Sequence, residues 1–153
     1  MKVKCFSAVL LSAALLASCG GENVDTKPCE YLQEGPASSV TASASATGAP
    51  AVSVDQRRYD ISLVDVASGK GGSVSFAVTE VKDYTLFLNG EVPVIVTDAS
   101  GQRIEVRVSG TGSSECSEIK RRHTFRLAPG MHGIAFGPTT ASSVSLVIID
   151  QLL

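Results

Sequence analysis

Most of the chain after residue 55 consists of short segments in which apolar and polar residues alternate, separated by Gly, Asp, Asn and Pro. Such alternation is typical of β-strands that bury one face. Short strands, with turn residues about every eight to twelve positions and no helical period, predict an all-β fold over residues 55–153, an antiparallel β-sandwich of the immunoglobulin-like or jelly-roll-like kind. The pattern predicts eight strands, around residues 59–63, 74–78, 84–88, 92–96, 104–108, 123–127, 132–136 and 144–149.

Specific expectations apply to three connections and to one of the predicted strands. Residues 68–72, Ser-Gly-Lys-Gly-Gly, predict a loop, and Gly137-Pro138 is expected to end the strand before it. Residues 104–108 show the most regular alternation in the chain, which predicts a strand with one buried and one charged face. Residues 128–131 are interpreted as a hairpin loop that joins two neighbouring strands.

The first twenty residues are predicted to form a targeting segment. Lys2 and Lys4 precede twelve mostly apolar residues, 5–16, too few for a membrane span of about 20 residues. Leu16-Ala17-Ser18-Cys19 follows, and residues 1–22 as a whole resemble the lipobox signal of bacterial lipoproteins. The resemblance implies a signal peptide over residues 1–18, cleavage between Ser18 and Cys19, and acylation of Cys19 with diacylglycerol and a fatty acid such as palmitate.

The same resemblance bears on localisation. Gly20 follows Cys19 at the position where Asp would imply retention in the inner membrane, so the resemblance implies the outer membrane where the host has one. An ordinary secretory signal, with Cys19 free or disulfide-bonded, is the alternative. The protein is therefore expected in a bacterial cell envelope, bound to the membrane through N-terminal acyl chains.

Residues 19–54 predict a flexible tether between anchor and domain. Residues 37–51 contain six Ala, four Ser and two Thr, and nothing large enough to bury. A segment of this composition is not expected to recover the entropy lost on ordering. The expected organisation is a signal peptide (1–18), a lipid-anchored, disordered Ala/Ser-rich tether (19–54) and a β-sandwich domain (55–153).

Four segments of the domain resemble a second family. They are Gly72-Ser73-Val74-Ser75-Phe76, Asp83-Tyr84-Thr85-Leu86, residues 96–101 (Val-Thr-Asp-Ala-Ser-Gly) and residues 125–130 (Phe-Arg-Leu-Ala-Pro-Gly). Together they resemble the prepeptidase C-terminal type of β-sandwich found in secreted bacterial proteins. The resemblance implies a non-catalytic accessory domain.

The cysteines predict one disulfide. If Cys5 leaves with the signal peptide and Cys19 is acylated, as the lipobox resemblance implies, Cys29 and Cys116 remain, in a compartment where pairing is the default. Two reduced thiols, or an intermolecular bond, are the alternative.

His123 and His132 are the two histidines, and each alternates with apolar neighbours. If residues 128–131 form the hairpin loop, His123 lies opposite Phe136 and the imidazoles are about 13 Å apart. Two ligands of one ion must each lie about 2 Å from it, so no metal site is expected and both side chains are interpreted as buried or rim histidines. Ligand binding by either is the alternative.

Arg122 and Arg126 form a small basic cluster with Lys120 and Arg121. The alternation places both arginines on the face away from Phe125. A solvated strand face is the favoured interpretation, and binding of an anionic head group or glycan is the alternative.

Charge and motifs narrow the function classes. Thirteen Lys and Arg against 15 Asp and Glu give a formal charge of −2 without a polybasic stretch, so nucleic acid is not expected as a partner. The sequence contains no catalytic or phosphate-binding signature and no Trp, so neither an enzyme nor a cofactor is expected.

The predicted function is a lipid-anchored envelope protein that binds another envelope protein or acts as a structural module. A small-ligand or metal carrier is the alternative, followed by a hydrolase with scattered Ser, His132 and Asp.

Overall fold

The structure, a computed structural model, describes residues 24–151. The predicted signal peptide, the cleavage pair Ser18 and Cys19 and the start of the predicted tether lie outside these residues. The described part contains one helix, α1 (Thr26–Glu34), and ten strands. The strands are β1 (Ala37–Thr41), β2 (Arg58–Ser62), β3 (Val64–Val66), β4 (Gly69–Val78), β5 (Lys82–Leu88), β6 (Val94–Thr97), β7 (Val108–Thr111), β8 (Arg121–Leu127), β9 (Gly130–Thr139) and β10 (Ser143–Gln151).

Two sheets make up the fold. Sheet A has six strands in the order β1-β2-β10-β5-β8-β7, and sheet B has four in the order β3-β4-β9-β6. Every neighbouring pair is antiparallel except β1 and β2, which are parallel. The predicted all-β sandwich is confirmed. The described residues contain three strands, β1, β3 and β7, that the alternation pattern did not predict.

The facing sides of the two sheets form the main core. Alternate residues of β4, β5, β9 and β10 point inward, as the period of two requires. The largest fully buried side chains of this core are Phe76, Ile61, Leu86, Leu88, Leu127, Ile134, Leu146 and Ile148. These side chains lie between the two sheets, which explains why each is at most 1% exposed.

Helix α1 covers the outer face of sheet A and forms a second, smaller core. Phe87 and Val147 alternate with main-core residues, so they point to the outer face, where Leu32 of α1 packs with them. Cys116 and Ile119, from the connection between β7 and β8, complete this cluster.

The predicted disulfide is present and secures α1 to sheet A. Cys29 of α1 is bonded to Cys116, 87 positions later, with a Cα–Cα distance of 5.9 Å. Cys116 is buried in the second core.

The prediction of a flexible tether is wrong for residues 24–54. Ala42 and Val52 are 3% and 2% exposed within the main core. Ser43 and Ser73 exchange main-chain hydrogen bonds of 3.0 and 2.7 Å, which attach this segment to the edge of β4. A Cβ added at Gly72 would lie 2.8 Å from that of Ala42, so only small residues permit this close packing. The composition that suggested disorder is therefore what the close packing requires.

The predicted strand at residues 104–108 is also wrong. The Ile104 N–H bonds to the Val96 carbonyl in sheet B, and the Arg107 N–H bonds to the Thr124 carbonyl in sheet A, both at 2.8 Å. The segment therefore crosses from one sheet to the other, and its alternation does not correspond to a buried face. Val106 is 41% exposed.

Two predicted strand breaks lie inside strands. The turn between β3 and β4 consists of Ala67 and Ser68 only, so the glycines of the predicted loop 68–72 belong to β4, next to a bulge between Lys70 and Gly72. Gly137-Pro138 lies within β9, because Gly137 adopts a φ of 89° and donates its N–H to the Pro93 carbonyl at 2.9 Å. Local turn signals were here overridden by pairing with neighbouring strands.

Candidate functional site

The hairpin assumed for residues 128–131 is wrong, since β8 lies in sheet A and β9 in sheet B. The connection between them crosses from one sheet to the other. His123 therefore lies beside Leu86 of β5 and not opposite Phe136, and His132 lies beside Phe76 of β4. The candidate residues are divided between the two sheets, with His123, Arg122 and Arg126 on one and His132 on the other.

His123 is half-buried near the open edge of sheet A. Its Nδ1 shares a hydrogen bond of 2.9 Å with the Ser109 hydroxyl of β7. Burial, and secondarily the positive charge of Arg121, hold the pKa of His123 below its ordinary value of 6.5. The imidazole is therefore held in its neutral form at neutral pH.

His132 is buried and points into the sandwich. Its cross-strand partner Phe76 is fully buried, and the two ring centroids are 5.6 Å apart. Its Nε2 donates a hydrogen bond of 2.9 Å to the Ala128 carbonyl. Its Nδ1 is buried without a hydrogen-bond partner among the described residues.

Arg122 lies on the face away from Phe125, and its side chain is 37% exposed. Its guanidinium donates hydrogen bonds of 2.9 and 3.2 Å to Asp25, immediately before α1. The Asp25 carboxylate also accepts a 2.7 Å bond from the Ser113 hydroxyl, and its side chain is 7% exposed. Helix α1 packs on the outer face of sheet A, and this packing brings Asp25 to Arg122.

Arg126 is exposed, as predicted, on the face away from Phe125. It lies 3.4 Å from the Asp83 carboxylate, which also accepts hydrogen bonds from Arg107 at 3.0 Å. Arg122 and Arg126 thus have separate acidic partners and do not form one anion site. Within residues 24–151, no group of three or more His, Cys, Asp or Glu side chains is placed to hold a metal ion.

The structure reveals a groove that the sequence did not indicate. It has a volume of about 570 Å³ and lies on the outer face of sheet B. Gly133, Ser75 and Thr97 are cross-strand neighbours that form its floor, and their sequence neighbours point into the main core. The walls are the connection at residues 46–49, the turn at residues 98–101, and Met131 with the adjoining His132.

Hydroxyl groups and one carboxylate give the groove its chemistry. Asp98 accepts hydrogen bonds from the Ser100 hydroxyl at 2.6 Å and from the Ser100 and Gln102 N–H groups at 2.9 Å. The Ser100 bond, followed by that of Gln102, lowers the pKa of Asp98, so the carboxylate is charged at neutral pH. Met131, which is 48% exposed, adds apolar surface.

Two contacts fix the shape of the groove. The Ser75 hydroxyl donates a 3.0 Å hydrogen bond to the Ala49 carbonyl and holds one wall in place. A Cβ at Gly133 would lie 2.8 Å from the Thr97 Oγ1, so a larger residue would crowd the floor. These Ala, Gly, Ser and Thr residues come from segments distant in sequence. No local motif could therefore have identified them.

The groove and the start of the described chain lie on opposite outer faces of the sandwich. Asp25 is held on the outer face of sheet A at Arg122, near the start of β8. The groove is on the outer face of sheet B, near Gly133 at the start of β9, which follows the far end of β8. The two positions are therefore separated by at least the thickness of the sandwich, whose two sheets are about 10 Å apart.

No family model matches the chain, and no curated protein sequence matches it. Among solved structures, the pre-peptidase C-terminal domain of a collagenase from Bacillus anthracis is similar, with 11% sequence identity and a TM-score of 0.47. The similarity covers 65% of this chain and 92% of that domain. Separately, no helix within residues 24–151 is long and apolar enough to cross a membrane.

Proposed function

We propose that this protein is a lipid-anchored lipoprotein of the bacterial cell envelope whose β-sandwich is a non-catalytic binding module. Acylated Cys19 would hold the protein on the membrane, and the groove on sheet B would contact an envelope partner. The observation that carries the proposal is the placement of Asp25 and the groove on opposite outer faces of the domain. A membrane attached on the Asp25 side leaves the groove accessible.

The anchor and the domain would be close together. Cys19 precedes Asp25 by six positions, which span at most about 22 Å whatever their conformation. Asp25 is in turn fixed to sheet A by Arg122 and Ser113, and α1 by the disulfide. The domain would therefore sit near the bilayer surface, instead of moving at the end of a long tether. The disulfide also favours an oxidising, extracytoplasmic compartment.

Lipidation is tested with two variants, each of which replaces one cysteine. Cys19→Ala is expected to abolish labelling with a fatty-acid analogue and to leave the full-length precursor. Cys5→Ala is the matched control, because it removes the other cysteine of residues 1–22 and should be processed and labelled normally. Normal processing and labelling of Cys19→Ala would refute the lipid anchor.

The binding role of the groove is tested by photo-crosslinking in native membranes. A photoreactive amino acid at Met131 would report on the groove, and the same residue at Val108, 58% exposed on β7 of sheet A, is the control. A discrete cross-linked species from position 131 alone is expected. Identical patterns from both positions would contradict a partner in the groove.

A small-ligand or metal carrier is the second candidate. The buried Nδ1 of His132 has no partner among the described residues, and a bound ligand would supply one. The native intact mass of the protein, extracted in mild detergent, distinguishes the two candidates. A retained metal or ligand mass that disappears in His132→Phe would favour the carrier, and a mass made up of chain and acyl groups alone would favour the binding module.

A further inference from the structure

The edge of sheet A at β1 is unusual in its lack of charge. β1 consists of Ala-Ser-Ser-Val-Thr and lies within residues 35–54, twenty consecutive positions without a charged side chain, in a chain that is 18% charged. Exposed sheet edges in natural proteins normally carry charges, prolines, bulges or covering segments that prevent pairing with another strand. The five residues of β1 contain no charge, no proline and no bulge, and the charged side chain that contacts them is Arg57, through Ser38.

The other sheet edges are protected or short. β3 has three residues and carries Asp65, which is paired with Lys70 at 2.8 Å. β6 is covered in part by the following segment, since the Ile104 N–H bonds to the Val96 carbonyl at 2.8 Å. β7 has four residues, one of them Gly110. β1 is thus the longest of the four edge strands and the one without such protection.

The free peptide groups of β1 can be assigned from its pairing with β2. The Arg58 N–H bonds to the Pro36 carbonyl at 3.0 Å, and the Ala42 N–H bonds to the Ser62 carbonyl at 2.9 Å. In a parallel ladder, every second residue of a strand bonds to the neighbouring strand through its N–H and C=O groups. Positions 36, 38, 40 and 42 therefore bond to β2, and the N–H and C=O groups of positions 37, 39 and 41 point away from the sheet.

The three positions whose peptide groups point outward, 37, 39 and 41, are arranged symmetrically about Ser39. We propose that two copies of the chain associate through β1, antiparallel to each other, about a two-fold axis at Ser39. The two Ser39 residues would exchange a pair of main-chain hydrogen bonds, and each Ala37 would do the same with Thr41 of the second copy. The two six-stranded sheets would then form one continuous sheet of twelve strands.

The geometry favours a second copy over an unrelated strand, because the same segment provides both halves of a self-complementary ladder. The five side chains of β1 are uncharged, so no like charges of the strand itself oppose each other across the axis. The Arg57 guanidinium, which donates a 3.0 Å hydrogen bond to the Ser38 hydroxyl, is the charged group in contact with the strand. This association goes beyond the proposed function, since it requires neither the lipid anchor nor the groove.

The test is disulfide capture of the full-length chain in its native membranes. Residues directly opposite in a hydrogen-bonded antiparallel pair have Cα atoms about 5.5 Å apart, within the range of about 4.4–6.8 Å for disulfides. Ser39→Cys is therefore expected to form a reducible dimer on mild oxidation. Thr41→Cys, on the same strand and face, is the matched control, because its two copies would lie about 14 Å apart. The unsubstituted chain is the background for cross-links through Cys5 and Cys19.

A second pair of variants tests the edge without adding a thiol. Ser39→Lys would place two positive charges together at the axis, and loss of the dimer by chemical cross-linking and light scattering is expected. Ser45→Lys adds the same charge at an exposed position of the same uncharged segment and should leave the dimer intact. Three results would overturn the proposal: no dimer from Ser39→Cys, equal capture by Thr41→Cys, or capture of a different protein at position 39.

Discussion

Asp25 and Arg122 are joined by two hydrogen bonds of 2.9 and 3.2 Å across 97 positions of the chain. The contact connects the residue before α1 to strand β8 and contributes to holding the helix on the outer face of sheet A. The Asp25 carboxylate is nearly inaccessible, whereas the Arg122 side chain is 37% exposed. Removing Arg122 therefore leaves a buried carboxylate, whereas removing Asp25 leaves a partly exposed guanidinium.

We expect Arg122→Ala to lower the free energy of unfolding by about 1–3 kcal/mol, because it leaves a buried carboxylate with less compensation. Arg126→Ala, on the same strand and face, removes an exposed ion pair with Asp83 and should change it by less than about 1 kcal/mol. Urea denaturation of both variants measures the difference. Equal effects would show that the Asp25 contact does not stabilise the fold beyond an ordinary surface pair.

The disulfide is expected to be a major source of stability. It closes a loop of 87 residues, which in the chain-entropy account corresponds to about 4–5 kcal/mol. Cys116→Ser should lower the melting temperature under oxidising conditions and have little further effect under reducing conditions. The double variant with Cys29→Ser should match reduced wild type. An oxidised Cys116→Ser protein that melts like wild type would contradict this role of the bond.

The connection between β1 and β2 is expected to behave as part of the core. Val52→Ala removes two methyl groups from a side chain that is 2% exposed, which should cost about 2 kcal/mol of unfolding free energy. Thr47→Ala, at an exposed position of the same connection, should cost less than about 0.5 kcal/mol. Limited proteolysis provides a second measurement, since a packed connection resists cleavage near Val52. Rapid cutting there, with an unchanged stability of Val52→Ala, would favour the tether that the composition suggested.

The sequence predicted those features that depend on local alternation. Tyr59, Phe76 and Leu86 lie in predicted strands and are buried in the main core. The disulfide followed from the number of cysteines and the expected compartment. These predictions succeeded because one buried face imposes a period of two, whatever the strand order.

The failures share a different physical origin. Ala42 packs on Gly72, and the segment around it is attached through main-chain hydrogen bonds, which leave no side-chain pattern. The regular alternation at residues 104–108 occurs in a segment that crosses between sheets. The groove is assembled from Ser75, Thr97 and Gly133, small residues of three strands brought together by a strand order that alternation does not specify.

His123 provides a prediction about pH. Its pKa in the folded protein lies below the ordinary value of 6.5, so between these two values the unfolded chain binds a proton that the folded chain does not. Stability should therefore decrease as the pH falls through about 6.5 and should stop decreasing, for this group, once the pH is below the folded pKa. His123→Gln removes the titrating group while retaining a side chain that can bond to Ser109. We expect a shallower loss of melting temperature between about pH 7.5 and 5 in this variant than in wild type. Ser109→Ala is the control, because it removes the hydrogen bond but keeps the half-buried imidazole, and its pH dependence should remain close to that of wild type. If His123→Gln retains the full wild-type dependence, the acid sensitivity arises from another group.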